Sequence, residues 1–100
     1  MREVQEVKQE IGEQVRVLAS FAEFKITIHF FTWRGRTYKV DSMNLFHIER
    51  DAERQIYQFA VSATEGGNGE HSRTAALGNT YQLTFNPATL EWQLKDVVSL

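Results

Sequence analysis

Apolar side chains recur at every second position along most of this chain, and the alternation is interrupted by short polar or glycine-bearing breaks. Val15, Val17, Ala19 and Phe21 share one face of a strand predicted over residues 13–21. Residues 25–33 form the clearest strand, with Ile26, Ile28 and Phe30 on one face and Lys25, Thr27, His29, Phe31 and Trp33 on the other. Its β-branched and aromatic content suits a pleated, half-buried surface. At ~3.3 Å per residue it reaches about 30 Å, enough to bend around a small barrel. Arg34-Gly35 supplies the next turn, because glycine takes positive φ at little cost. Tyr38 and Val40 continue the return strand.

Phe46 and Ile48 predict a further strand, with Arg50-Asp51-Ala52-Glu53-Arg54 as its turn. A short helix over that charged stretch is the competing reading. The long alternation behind it, Tyr57, Phe59, Val61 and Ala63, favours a hairpin. The last hairpin sets Tyr81, Leu83 and Phe85 against Leu90, Trp92 and Leu94. Asn86-Pro87 opens its turn, proline presetting φ at about −65°.

Two segments depart from this pattern. Residues 2–10 read as a charged lead-in, with Gly12 closing it. Val4, Val7, Ile11 and Leu18 also sit at helical spacing, so a continuous helix over residues 2–19 remains an alternative. Between residues 65 and 79, Gly66-Gly67-Asn68-Gly69 and Gly78-Asn79 predict the longest loop, in which Thr74-Ala75-Ala76-Leu77 has room for one helical turn or a brief strand. The expected organisation is a polar lead-in over 1–12, helical in the alternative reading, and one β domain over 13–100. Six to seven strands at this spacing predict an all-β fold, a small antiparallel barrel or sandwich, SH3-like or OB-like. Strand order is not readable from the pattern.

Composition narrows the function classes. At 100 residues the chain is the size of one domain. Cysteine is absent, which excludes a disulfide framework, thiol catalysis and cysteine-ligated metal clusters, and fits a reducing cytosol. Met1-Arg2-Glu3-Val4-Gln5-Glu6 lacks the apolar run of a signal peptide, and no stretch approaches the ~20 apolar residues of a membrane span. A cytoplasmic protein without a membrane partner is expected. The net charge of −2 is uneven. Residues 21–40 carry Lys25, Arg34, Arg36 and Lys39 against Glu23 alone, whereas residues 41–70 are acidic.

The basic hairpin is the most suggestive cluster: Phe31, Trp33, Arg34, Arg36, Tyr38 and Lys39 form the candidate binding site. Cations that follow phosphates and rings that stack on bases are what single-stranded nucleic acid requires. The plainer reading has Trp33 and Tyr38 pairing across strands, with the arginines as solvated tip residues. His29, His47 and His71 have no metal-ligand spacing, so neither a metal nor a cofactor is expected. Glu49, Asp51 and Glu53 crowd one exposed turn, where nothing pushes their pKa values apart, and they read as a solvated charge cluster. No nucleophile elbow or phosphate loop is present, so no enzymatic role is expected.

The pattern Trp33-Arg34-Gly35-x-x-Tyr38-x-Val40, followed by Phe85-Asn86-Pro87-x-Thr89-x-x-Trp92-x-Leu94, resembles a small bacterial domain family of unknown function. That family carries W-R-G-x-x-Y-x-V near its front and F-D/N-P-x-T-x-x-W-x-L near its end. The likeness spans residues 25–98, with the glycine-rich stretch 65–79 resembling an insertion. It implies a bacterial origin and a domain-sized unit, and it carries over no catalytic residue. The expected function is therefore non-enzymatic recognition: protein–protein interaction, or self-association as a homodimer, through a sheet edge. Single-stranded nucleic-acid binding through residues 31–39 is the alternative, and a small enzyme ranks last.

Overall fold

The structure, a computed structural model, describes residues 7–51, 54–66 and 79–99. Among the described residues six strands follow in chain order: β1 (Val7–Ala22), β2 (Lys25–Trp33), β3 (Arg36–Asp51), β4 (Arg54–Glu65), β5 (Thr80–Asn86) and β6 (Glu91–Ser99). Each pairs antiparallel with its neighbour in sequence, and β6 pairs with β1 to close the ring. The result is an up-and-down barrel, without the Greek-key crossing of an OB-fold. The β1–β2, β3–β4 and β5–β6 turns therefore lie at one end, and the β2–β3 turn lies at the other.

β4, β5 and β6 follow their alternation as read. Phe59, Val61 and Ala63, then Tyr81, Leu83 and Phe85, then Trp92 and Leu94 point inward and are buried. Trp92 lies against Phe85, with ring centroids 4.6 Å apart, and against Phe59 at 5.5 Å. The β5–β6 turn is fixed by Asn86, whose side-chain oxygen accepts from the Ala88 amide at 2.9 Å and whose carbonyl accepts from the Leu90 amide at 2.7 Å. Leu90 is not the inward partner that the alternation suggested. It holds the left-handed position of the turn, φ 64°, and is 73% exposed.

The remaining differences from the sequence reading arise at bulges, where an extra residue on one strand shifts the phase of its side chains. β1 begins at Val7, so residues 7–12 of the expected lead-in are barrel, and helix is absent there. Ile11 and Gly12 together oppose Lys95, and Gly12 takes φ 66°. On β2, Ile28 and Phe30 face consecutive residues of β1, leaving His29 as the extra residue. The phase therefore flips after Ile28: Phe31 is fully buried, and Phe30 moves to the partly exposed side. The two strands expected over 36–48 are one sixteen-residue strand, β3. Its extra residues Asp41 and Asn44 interrupt the alternation, so that Tyr38, Val40 and Met43 all join the core.

The expected 65–79 loop lies largely outside the described residues. Its first residues, Glu65 and Gly66, continue from β4, and the Gly66 amide donates to the Thr37 carbonyl at 2.9 Å.

Candidate functional site between β2 and β3

The six residues of the basic hairpin do not form a common exposed surface. Phe31 and Tyr38 are core residues, their rings stacked at 4.9 Å and both touching Tyr81. The phase shift at His29 turned Phe31 inward, and register then placed Tyr38 opposite it. Neither ring can stack on a base. Trp33 is half-buried, and its indole N–H donates to Glu13 Oε1 at 2.9 Å. Arg34 donates to both carboxylate oxygens of Glu13, and its guanidinium lies 4.7 Å over the Trp33 ring.

Arg36 pairs with Glu65 at 3.2 Å. Lys39 is exposed on the outer face. Acids from β1 and β4 thus neutralise both arginines. The Arg34 hydrogen bond, then that of Trp33, holds the Glu13 carboxyl below the usual glutamate range. Burial above all, then the nearby Glu65, pushes the Tyr38 phenol up.

The other titratable candidates are dispersed. His29 is hydrogen-bonded to Ser20 at 3.0 Å, His47 is exposed on β3, and His71 lies outside the described residues. Glu49 accepts from Gln58 at 2.6 Å, and Glu53 again lies outside. Among the described residues no three His, Cys, Asp or Glu side chains are placed to hold a metal ion. Asp96 on β6 is fully buried. Among the described residues its oxygens accept no hydrogen bond, and Lys8 Nζ stands 3.7 Å from Oδ2.

The feature with the geometry of a site is an opening in the barrel wall. β2 and β3 pair only from Phe30↔Lys39 to Trp33↔Arg36. Beyond that the strands part, so that residues 25–29 of β2 and 40–51 of β3 face one another without a shared ladder. Strand edges that lack a neighbour present backbone N–H and C=O groups to be paired.

An opening of about 690 Å³ occupies this gap, and its apolar lining includes Phe21, Ile26, Met43, Phe46, Ile48 and Tyr57. A second apolar hollow of about 430 Å³ shares Phe21, Ile26 and Tyr57 with it and continues to Phe85, Pro87 and Leu90. Apolar concavities at the mouths of β-barrels are a recurrent setting for binding.

At the rim stands the β1–β2 turn. Glu23 and Phe24 both take positive φ, 54° and 63°, the backbone of a type I′ turn. Such turns favour Asn-Gly, and a bulky residue at positive φ is an outlier. Phe24 occupies that strained position fully exposed to solvent. Strain retained in a folded chain is a pointer to function.

Sequence reasoning missed this site. Its one local signal is Phe21-Ala22-Glu23-Phe24, a tight turn that contains no glycine, asparagine or proline but two aromatics.

No protein-family model matches the chain, no curated protein matches it, and no solved structure matches it. The residues of the two hairpin patterns have structural tasks. Gly35 makes the turn, Trp33 bonds Glu13, Tyr38, Phe85, Trp92 and Leu94 fill the core, and Asn86 caps its turn.

Proposed function

We infer that this protein is a non-enzymatic recognition module that binds another protein through the strand edge at the β2–β3 opening. The observation that carries the reading is the early end of the β2–β3 ladder, which leaves an apolar gap bounded by edges left unpaired among the described residues. Addition of a strand to such an edge is a general mode of peptide recognition. The exposed Phe24 and the apolar Phe21, Phe46 and Leu90 at the same end extend the contact surface. A cytoplasmic setting and kinship with the bacterial family that the hairpins resemble belong to the same reading.

The test compares proteins retained on the immobilised chain for the wild type and two variants. Phe24→Ser with Phe46→Lys alters the opening, and Arg34→Gln with Arg36→Gln discharges the hairpin. Binding lost with the first variant and kept with the second supports the reading. The reverse pattern assigns binding to the hairpin. A wild-type chain that retains nothing, and stays monomeric by sedimentation equilibrium, overturns it.

A further inference from the structure

We propose that the occupant of the opening is a single extended segment of a partner protein, inserted between β2 and β3 as an additional strand that runs antiparallel to β3. This rests on the edge-recognition reading and specifies what the edge receives. Two facing edges bound the gap, so the group that fits it must satisfy hydrogen bonds on both sides at once. An extended backbone does this, because its N–H and C=O groups point alternately to left and right. An acyl chain or an aromatic ligand would fill the apolar floor but leave both edges unpaired.

A second copy of this chain fits less well. Pairing β3 with β3 across a two-fold axis would satisfy one edge per copy and leave residues 25–29 of β2 open. Charge also selects a neutral occupant. Glu23 and Lys25, on either side of Phe24, are rim residues of opposite sign, so the rim offers no excess charge to a phosphate backbone or a lipid headgroup.

The direction follows from topology. β2 and β3 are antiparallel, so a strand between them is parallel to one of them. Antiparallel pairing is the more stable per residue, and β3 offers the longer free edge, residues 40–51 against 25–29. The doubly paired stretch is therefore set by β2, about 16 Å at ~3.3 Å per residue. Side chains of the inserted strand alternate. Those facing Phe21, Ile26, Met43 and Phe46 must be apolar, and those facing solvent polar.

The probe is an acetylated, amidated peptide of alternating threonine and valine with a central phenylalanine. Two further peptides carry N-methyl groups, one on every odd residue and one on every even residue. Insertion predicts that the parent peptide binds and shifts the amide resonances of both 25–29 and 40–48. It also predicts that each N-methylated set weakens binding by about tenfold or more, since each removes hydrogen bonds to a different strand.

If only one set weakens binding, the peptide lies along one edge. Insertion is then wrong while edge recognition stands. Binding indifferent to both sets places the peptide in the apolar floor alone and overturns both. No binding of the parent peptide overturns insertion, and a concentration-dependent dimer in the same preparation names the second copy as occupant. Shifts produced by a mixed single-stranded oligonucleotide, or by phosphatidylglycerol vesicles, in place of the peptide would overturn the proposal in favour of those ligands.

Discussion

Glu13 shows how a single side chain can convert a binding motif into a structural one. It stands on β1 yet accepts hydrogen bonds from Trp33 and Arg34 of the β2–β3 hairpin, joining elements far apart in sequence. Its carboxyl pKa lies below the ordinary glutamate value, so the contact contributes stability above that value and loses it as pH falls through the folded pKa. Carboxyl-detected NMR should find Glu13 titrating below the ordinary glutamate range, with the Trp33 indole N–H resonance moving in step. Arg34→Gln should return the titration toward the ordinary range.

Tyr38 has the opposite sense. Its phenol pKa is raised by burial, so the neutral form stabilises the fold below the ordinary tyrosine value, and that stability is lost as pH rises through the folded value. Ultraviolet titration should show a tyrosine step above the ordinary range, and Tyr38→Phe should remove that step. In the core, Leu94 is fully buried, and Leu94→Ala should cost about 2–5 kcal/mol in urea unfolding, in line with a cavity that the barrel wall cannot collapse to fill.

At the level of elements, the β1–β2 turn and its neighbours make the relation between stability and function testable. Glu23 and Phe24 both hold positive φ, where asparagine and glycine are at ease. The double variant Glu23→Asn, Phe24→Gly should therefore stabilise the barrel by about 1–2 kcal/mol in thermal or urea unfolding. It should at the same time weaken whatever binds the opening, because it removes an exposed ring. Gly12 gives the converse case: a side chain there meets open space, yet φ 66° strains it, so Gly12→Ala should destabilise by about 1 kcal/mol.

Segments free of extra residues were legible in the chain: Tyr57 to Ala63, Tyr81 to Phe85 and Trp92 to Leu94 alternate and point as they read. Segments that carry a bulge were not. Phe30 and Phe31 are both aromatic, so composition could not tell which faces inward, and the answer lay in how β2 meets β1 at His29. Asp41 and Asn44 looked like the gap between two strands because an extra residue and a turn interrupt alternation alike. The opening itself is a relation between strands rather than a property of any one. It exists because the β2–β3 ladder stops at Phe30↔Lys39, and no run of residues announces where pairing ends.

For the whole molecule, the uneven pairing predicts an uneven resistance to exchange. Amides of β5 and β6, held on both sides, should exchange slowest, and those of 40–48 directed into the opening should exchange fastest within any strand. Hydrogen exchange followed by NMR checks this directly, and uniform protection along β3 would contradict the opening.

The closing of the ring by β6 on β1 has a further, kinetic consequence. Most of the other ladders join strands separated by short turns, but this seam brings Val7 beside Ser99 and Val15 beside Trp92. Closing a loop of that length costs about 2 kcal/mol more entropy than closing a ten-residue hairpin. The slow event in folding is thus expected to be the meeting of the two ends of the barrel. Substitutions along the seam, such as Val15→Ala, should slow refolding, whereas those in the β3–β4 hairpin tip should act mainly on the rate of unfolding.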